Sequence, residues 1–188
     1  MTIKNPTALP GDFLVSLKST ETKKTVAILG AFCLFLSTIE YMIPKPMPFM
    51  RLGIANLPLM LALDIFPLNT FLLLVAVKVL GQALITGTLF SYIFIFSLTG
   101  TFLSALSMYG LRRFLGRKRI SFIGVGTMGA MVSNISQLYL ARVFIFGNSV
   151  WYIAPIFLAA GVITGATLGL FCEHFTRRSK WYESLRAR

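Results

Sequence analysis

The chain has 188 residues, 56% of them hydrophobic and only 13% charged, with a formal net charge of +12 and a mean hydropathy of +0.77. A soluble domain has roughly 45–50% apolar and about 25% charged residues, so this composition argues against a soluble fold and for an all-α, multi-pass membrane protein. Nucleic-acid binding would need a soluble basic face. Here the basic residues fall between long apolar runs, as in cytoplasmic loops of membrane proteins.

The first 25 residues are mostly polar (KNPT, KSTETKKT). They read as a cytoplasmic tail before an uncleaved first span, loosely ordered around Pro6, Pro10 and Gly11. Residues 26–43, VAILGAFCLFLSTIEYMI, form that span and stop at PKPMP, whose three prolines cannot continue a helix. Ala27 and Ala31 have the four-residue spacing that lets helices approach closely, either within the bundle or on another subunit. Ser37, Glu40 and Tyr41 share one face near the span's outer end.

Residues 52–86 are too long for one span and break at DIFPLN, where Asp64, Pro67 and Asn69 cluster as a turn signal. The pattern predicts a short helix over 52–63 and a span over 70–86. Arg51 sits at the mouth of the short helix, with Asn56 just over one turn inside it. Lys78 lies eight residues into the next span, about 12 Å deep at 1.5 Å per residue, and Gln82 follows one turn on.

Three further runs, 92–111, 121–143 and 151–172, each meet the roughly 20 apolar residues that a bilayer core requires. Asn134 and Gln137 share a face of the fifth span, with Arg142 near its outer end. Gly161, Gly165 and Gly169 recur every four residues on the sixth, a packing pattern. Trp151, Tyr152, Trp181 and Tyr182 take expected membrane-interface positions.

The expected organisation is therefore a tail over 1–25, six transmembrane helices over 26–172 and a basic tail over 173–188. An even count places Lys4, Lys18, Lys23 and Lys24, the cluster Arg112, Arg113, Arg117, Lys118 and Arg119, and Arg177, Arg178, Lys180, Arg186 and Arg188 on one side. By the positive-inside rule that side is the cytoplasm.

Four basic residues remain, Lys45, Arg51, Lys78 and Arg142, all in the outer half with Glu40, Asn56, Gln82, Asn134 and Gln137. Ionisable groups within spans are costly and normally face a cavity or a partner. Four cations against one acid point to an anionic or strongly hydrogen-bonding ligand taken from the outer face. The plainer alternatives are a structural Lys78–Glu40 ion pair and snorkelling of Arg51 or Arg142 to lipid head groups.

Catalytic signals are missing. The sequence has no GxxxxGK[ST], HExxH, GxSxG or DDxxD motif, and its six acids are scattered. Cys33 and Cys172 lie in apolar runs and read as small hydrophobes. With His174 as the only histidine, no metal site or cofactor is expected. The chain reads as a non-enzyme.

MRLGIANLPLMLALDIF, followed by VKVLGQALITGTLFSYIFIFSLTGTFLSALSMYGLRR, resembles a bacterial membrane-protein family known both as Gx transporter and as heptaprenyl diphosphate synthase component I. The resemblance covers roughly residues 26–172. Arg51, Gly53 and Asn56 carry it, with Ser97, Gly100 and Ser104 and the basic residue of the third span, Lys78. The family is also similar to the substrate-binding subunits of energy-coupling-factor transporters. That likeness implies six spans, both termini inside, an outward ligand pocket, and an alanine-spaced motif, matched by Ala27 and Ala31, that contacts a scaffold subunit served by separate ATPases. The synthase name implies instead an accessory subunit binding a prenyl diphosphate, although the aspartate-rich motifs that hold magnesium diphosphate are absent here. A self-sufficient secondary transporter is a third reading.

Overall fold

The computed structural model describes residues 10–44, 53–116 and 119–186, and every described element is helical. The first helix, α1 (Pro10–Met42), begins well before the apolar run. Proline is tolerated in the first turn of a helix, no other proline interrupts the chain before Pro44, and Lys24 pairs with Glu21 one turn away at 2.9 Å. The second half of the expected tail is thus a polar extension of the first span.

A 3-10 turn (Ile54–Asn56) and the six-residue α2 (Leu57–Ala62) come next, then α3 (Leu68–Ile85). The α1 and α3 helices run parallel. Gly30 lies against Leu74 and Val77, Gly81 against Leu34, and Ser37 reaches Gln82, so numbering rises together along both helices. Parallel neighbours need a return stroke between them, and the segment through α2 supplies it. At the far end the Glu40 carboxylate holds the backbone N–H groups of Gly53 and Ala55. At the other end Ile65 and Phe66 lie beside Thr22 and Val26. Every residue from Leu57 to Leu63 is buried. The α-helical part of this stroke is only about 9 Å long, against a bilayer core of about 30 Å.

The remaining helices are antiparallel neighbours: α4 (Tyr92–Leu115), α5 (Phe122–Ala141) and α6 (Val150–Arg178), followed by the short α7 (Lys180–Arg186). Ser91 and Ser121 cap α4 and α5 by accepting backbone N–H bonds from Ile93 and Gly124. Between α5 and α6 the chain widens into a π turn over Arg142–Phe146 and reverses at Gly147, whose φ of 54° favours glycine. Gly126 meets Gly165, Ile123 meets Gly169, and Asn134 bonds to Phe157. Positions that rise on α5 fall on α6.

Four stretches are long and apolar enough to cross a membrane: Thr20–Met42, Leu68–Ile85, Tyr92–Leu115 and Phe122–Arg178. The last, 57 residues long, is the α5–α6 hairpin and so traverses the bundle twice. Counting the return stroke through α2, the described chain makes six strokes. The beginning of α1, the Asp64–Arg112 pair and α7 gather at one end, which we call the basal end. Large apolar side chains point outward along the long helices, Phe35, Leu73, Leu106, Ile135 and Ile163 among them, as expected where the surrounding solvent is lipid.

Candidate functional site

Inside this apolar bundle lies a cavity of mixed polar and apolar lining, built by residues of α1, the 3-10 turn, α2, α3, α4, α5 and α6. It is narrow, about 30 Å³, room for roughly one or two waters. Glu40 and Lys78 are almost fully buried on its wall, at 4% and 2% exposure.

The wall is built around the start of the return stroke. Gly53 adopts φ 81°, a left-handed conformation that glycine takes without a Cβ clash. The two carboxylate oxygens of Glu40 accept from Gly53 N at 3.1 Å and Ala55 N at 3.2 Å. A carboxylate there satisfies amides that the first helical turn leaves open and sits at the positive end of the helix dipole. Asn56, one residue on, accepts a hydrogen bond from the Lys78 ammonium. Glu40, Asn56 and Lys78 therefore form one cluster tying α1, the 3-10 turn and α3 together.

The opposite wall is polar but uncharged. Asn134 donates to the Phe157 carbonyl at 2.8 Å, and its amide fills the space beside Gly161, where a Cβ would come within 2.2 Å of Nδ2. Gln137 donates to Ser133 Oγ at 3.0 Å. Thr101, Ser104 and Thr164 complete this side.

Of the residues singled out from sequence, Glu40, Asn56, Lys78 and Asn134 line the cavity. Gln82 is buried just behind, within 3.4 Å of Ser37 Oγ, and Gln137 packs against the cavity residue Ser133. Arg142 is elsewhere. It is exposed at the far end with its guanidinium 5.9 Å from the Trp151 ring, and Tyr41 also points outward. Arg51 and Lys45 lie outside the described residues. The expected surplus of four cations over one acid reduces, among the described residues, to one ammonium and one carboxylate on the cavity wall.

Sequence reading did not single out Thr101, Ser133, Thr164, Met60 or Met108. One signal was available: Ser97, Thr101 and Ser104 fall at i, i+4 and i+7, one face of a helix, and all three are buried. A second site was also missed, the bidentate ion pair of Asp64 and Arg112 at 2.8 and 2.9 Å. Arg112 also donates to the Ile120 carbonyl at 2.6 Å and stacks 4.5 Å over the Phe122 ring.

A larger depression, about 1650 Å³, is open on the outer surface between α1 and α3. Ala27, Gly30, Ala31, Leu34, Leu73 and Val77 form its apolar bed, and Leu185 of α7 touches its basal edge. Ala27 and Ala31 are exposed there.

Apolar helices enclosing a small cavity with two buried ionisable groups on its wall, and an open small-residue groove outside, define a multi-pass helical membrane protein. A family model described as heptaprenyl diphosphate synthase component I matches residues 29–175, and the chain belongs to that family. No curated protein and no solved structure shows a significant match to the chain.

Proposed function

We propose that the chain is a non-enzymatic membrane subunit that captures a small polar molecule from the outer face and delivers it to an importer of the energy-coupling-factor type. In this reading it crosses the cell inner membrane six times, with the basal end and both termini in the cytoplasm. The observation that carries it is the convergence of Glu40, Asn56, Lys78 and Asn134 on one cavity inside an otherwise apolar bundle. Ionisable groups at such depth are costly unless they serve a ligand or one another. The concentration of basic residues at the basal end, from Lys23 and Lys24 through Arg112, Arg113 and Arg119 to Arg177, Arg178 and Lys180, supports the orientation. The groove around Ala27 and Ala31 supports a helical partner, because small side chains let another backbone approach closely. Without a phosphate-binding loop, energy comes from separate ATPases carried by that partner.

The family's description favours a second reading, an accessory subunit of isoprenoid biosynthesis. Extraction in mild detergent distinguishes the two. Copurification of a membrane scaffold with two ATPases supports import, and copurification of a soluble prenyl synthase supports the accessory role. Within the import reading, Lys78→Ala weakens capture by roughly 10- to 150-fold, since a hydrogen bond to a charged group is worth about 1.5–3 kcal/mol. Unchanged affinity with a sharply lower melting temperature makes Lys78 a structural ion-pair partner and removes the cavity as the site.

A further inference from the structure

A hydroxyl inside an apolar helix commonly donates to the backbone carbonyl one turn back, and most in this bundle do. On α4, Ser107 donates to the Ser104 carbonyl at 2.8 Å. On α5, Thr127 and Ser136 donate to the carbonyls of Ile123 and Val132 at 2.8 and 2.7 Å. Even Thr164, on the cavity wall, bonds back to Ala160 at 3.0 Å. Two cavity-lining serines on α4 and α5 depart from this pattern. Ser104 Oγ is buried with no hydrogen-bond partner among the described residues. Ser133 Oγ accepts from Gln137 Nε2 at 3.0 Å, which leaves its own proton for a different acceptor. Both serines line the cavity, at 1% and 9% exposure.

Glycines hold this arrangement open. A Cβ at Gly100 would stand 3.1 Å from Ser133 Oγ, and one at Gly129 would stand 3.1 Å from Ser104 Oγ. Gly100 and Ser104 both belong to SLTGTFLS (97–104), the stretch that helps carry the family resemblance. Packing alone does not account for its last residue. Alanine would fill the same place without leaving a buried polar atom unpaired, which costs stability. Buried polar groups are normally satisfied by protein, water or ligand.

The polarity of the walls is the second observation. The Lys78 ammonium, which can only donate, faces the same cavity from α3. On that side the Glu40 oxygens already accept from Gly53 and Ala55, and Asn56 already accepts from Lys78. A group entering between the walls therefore meets an N–H donor on one side and two O–H donors on the other. The cavity, about 30 Å³, is narrow enough for one functional group to span it.

We propose that Ser104 and Ser133 form a two-hydroxyl subsite that donates to an acceptor oxygen of the captured solute, a carboxylate or carbonyl oxygen, opposite the Lys78 ammonium. The subsite reads the tip of the solute. This inference rests on the capture role proposed above.

The test is native mass spectrometry of the full chain in native-membrane nanodiscs, reading the ratio of solute-bound to empty protein and the exact mass of what is released. The wild type is expected to release a solute with a carboxylate or carbonyl group. Ser104→Ala should lower the ratio by roughly 2- to 12-fold for a carbonyl and roughly 10- to 150-fold for a carboxylate, so the size of the loss separates the two. Ser104→Cys, a weaker donor, should fall between wild type and Ser104→Ala, and it carries the comparison if the alanine variant fails to fold. Emptied Ser104→Ala should melt no lower than emptied wild type, because the hydroxyl has no internal bond to lose. A sharply lower melting temperature with an unchanged ratio makes Ser104 structural and overturns the subsite. A released solute without an acceptor oxygen overturns it too. If Ser104→Ala and Ser133→Ala leave the ratio unchanged while Lys78→Ala abolishes binding, capture stands and the subsite is wrong. If the wild type releases no solute, the capture role fails and the subsite with it.

Discussion

The place where a side chain at residue 161 would sit is filled by the amide of Asn134, and this explains more of α6 than its spacing does. The stripe Gly161, Gly165 and Gly169 reads from sequence as uniform packing, yet the three glycines do different work. At Gly165 and Gly169 the nearest neighbours are backbone atoms of α5 (Gly126 O and Ile123 Cα), whereas at Gly161 the neighbour is a polar side chain. Gly165→Ala would put a Cβ 2.7 Å from Gly126 O and 2.9 Å from Ala130 Cβ. Such overpacking costs about 1–3 kcal/mol, readable as a lower melting temperature in detergent. Gly110→Ala is the matched control. Its nearest neighbour is the Phe114 ring at 3.9 Å, so helix propensity dominates and stability rises by up to about 1 kcal/mol. Glu40, Asn56 and Lys78 were legible in the sequence because ionisable groups within apolar runs must find partners. Thr101, Ser133 and Thr164 were not, because a hydroxyl in a membrane helix commonly bonds the carbonyl one turn back, as Thr164 does to Ala160 at 3.0 Å. Arg142 lies apart from the cavity for a third reason. Residue counting placed it near the outer end of the span, and there α5 has ended at Ala141 and a π turn begins at Arg142.

Among the elements, the turn between α2 and α3 matters most for rigidity. DIFPLN announced a turn, but its carboxylate has a role that local pattern could not show, since Arg112 is 48 residues away. The guanidinium binds Asp64 with both arms, holds the Ile120 carbonyl and covers Phe122. One side chain thereby joins the α2–α3 turn, the end of α4 and the start of α5. Both partners are below 10% exposed, at 7% and 9%, so removing one strands a buried charge. Asp64→Ala should destabilise by about 3–5 kcal/mol, whereas the double replacement Asp64→Leu with Arg112→Met should recover most of that loss. A double-mutant cycle on denaturation midpoints measures it, and additive losses would show that the two residues do not act as a pair. The apolar stretches long enough to cross a membrane were legible, because apolar runs and prolines are local signals. The burial of α2 was not, because it depends on α1, α3, α5 and α6 closing around it.

At the scale of the molecule, charge and shape make separate predictions. Lys23→Cys and Ser184→Cys mark the basal end, and Phe90→Cys, at a fully exposed site (100%) between α3 and α4, marks the far end. In intact cells an impermeant thiol reagent should label only the third. Labelling of either basal cysteine from outside would refute the proposed orientation. On the outer groove, Ala27→Leu or Ala31→Leu should prevent assembly with the coupling partner while leaving folding and solute capture intact, because the added branch fills the bed on which another helix would lie. Normal copurification of both variants with the partner would remove that role from α1.

The parallel run of α1 and α3 also governs how the chain can be made. An α-helical stretch of six residues, Leu57–Ala62, is too short for lipid to hold across a core that takes roughly 20 residues, and any backbone outside a helix must be shielded by protein at that depth. The return stroke therefore gains its full enclosure only after α3, α5 and α6 have been synthesised, since Met60 lies beside Gly126 of α5 and the Leu57 carbonyl meets Cys172 of α6. During synthesis, a glycosylation acceptor placed near residue 67 should be modified in chains that end before α3 and protected in chains extended through α6. Biogenesis would then pass through an intermediate whose topology is corrected by the helices that follow.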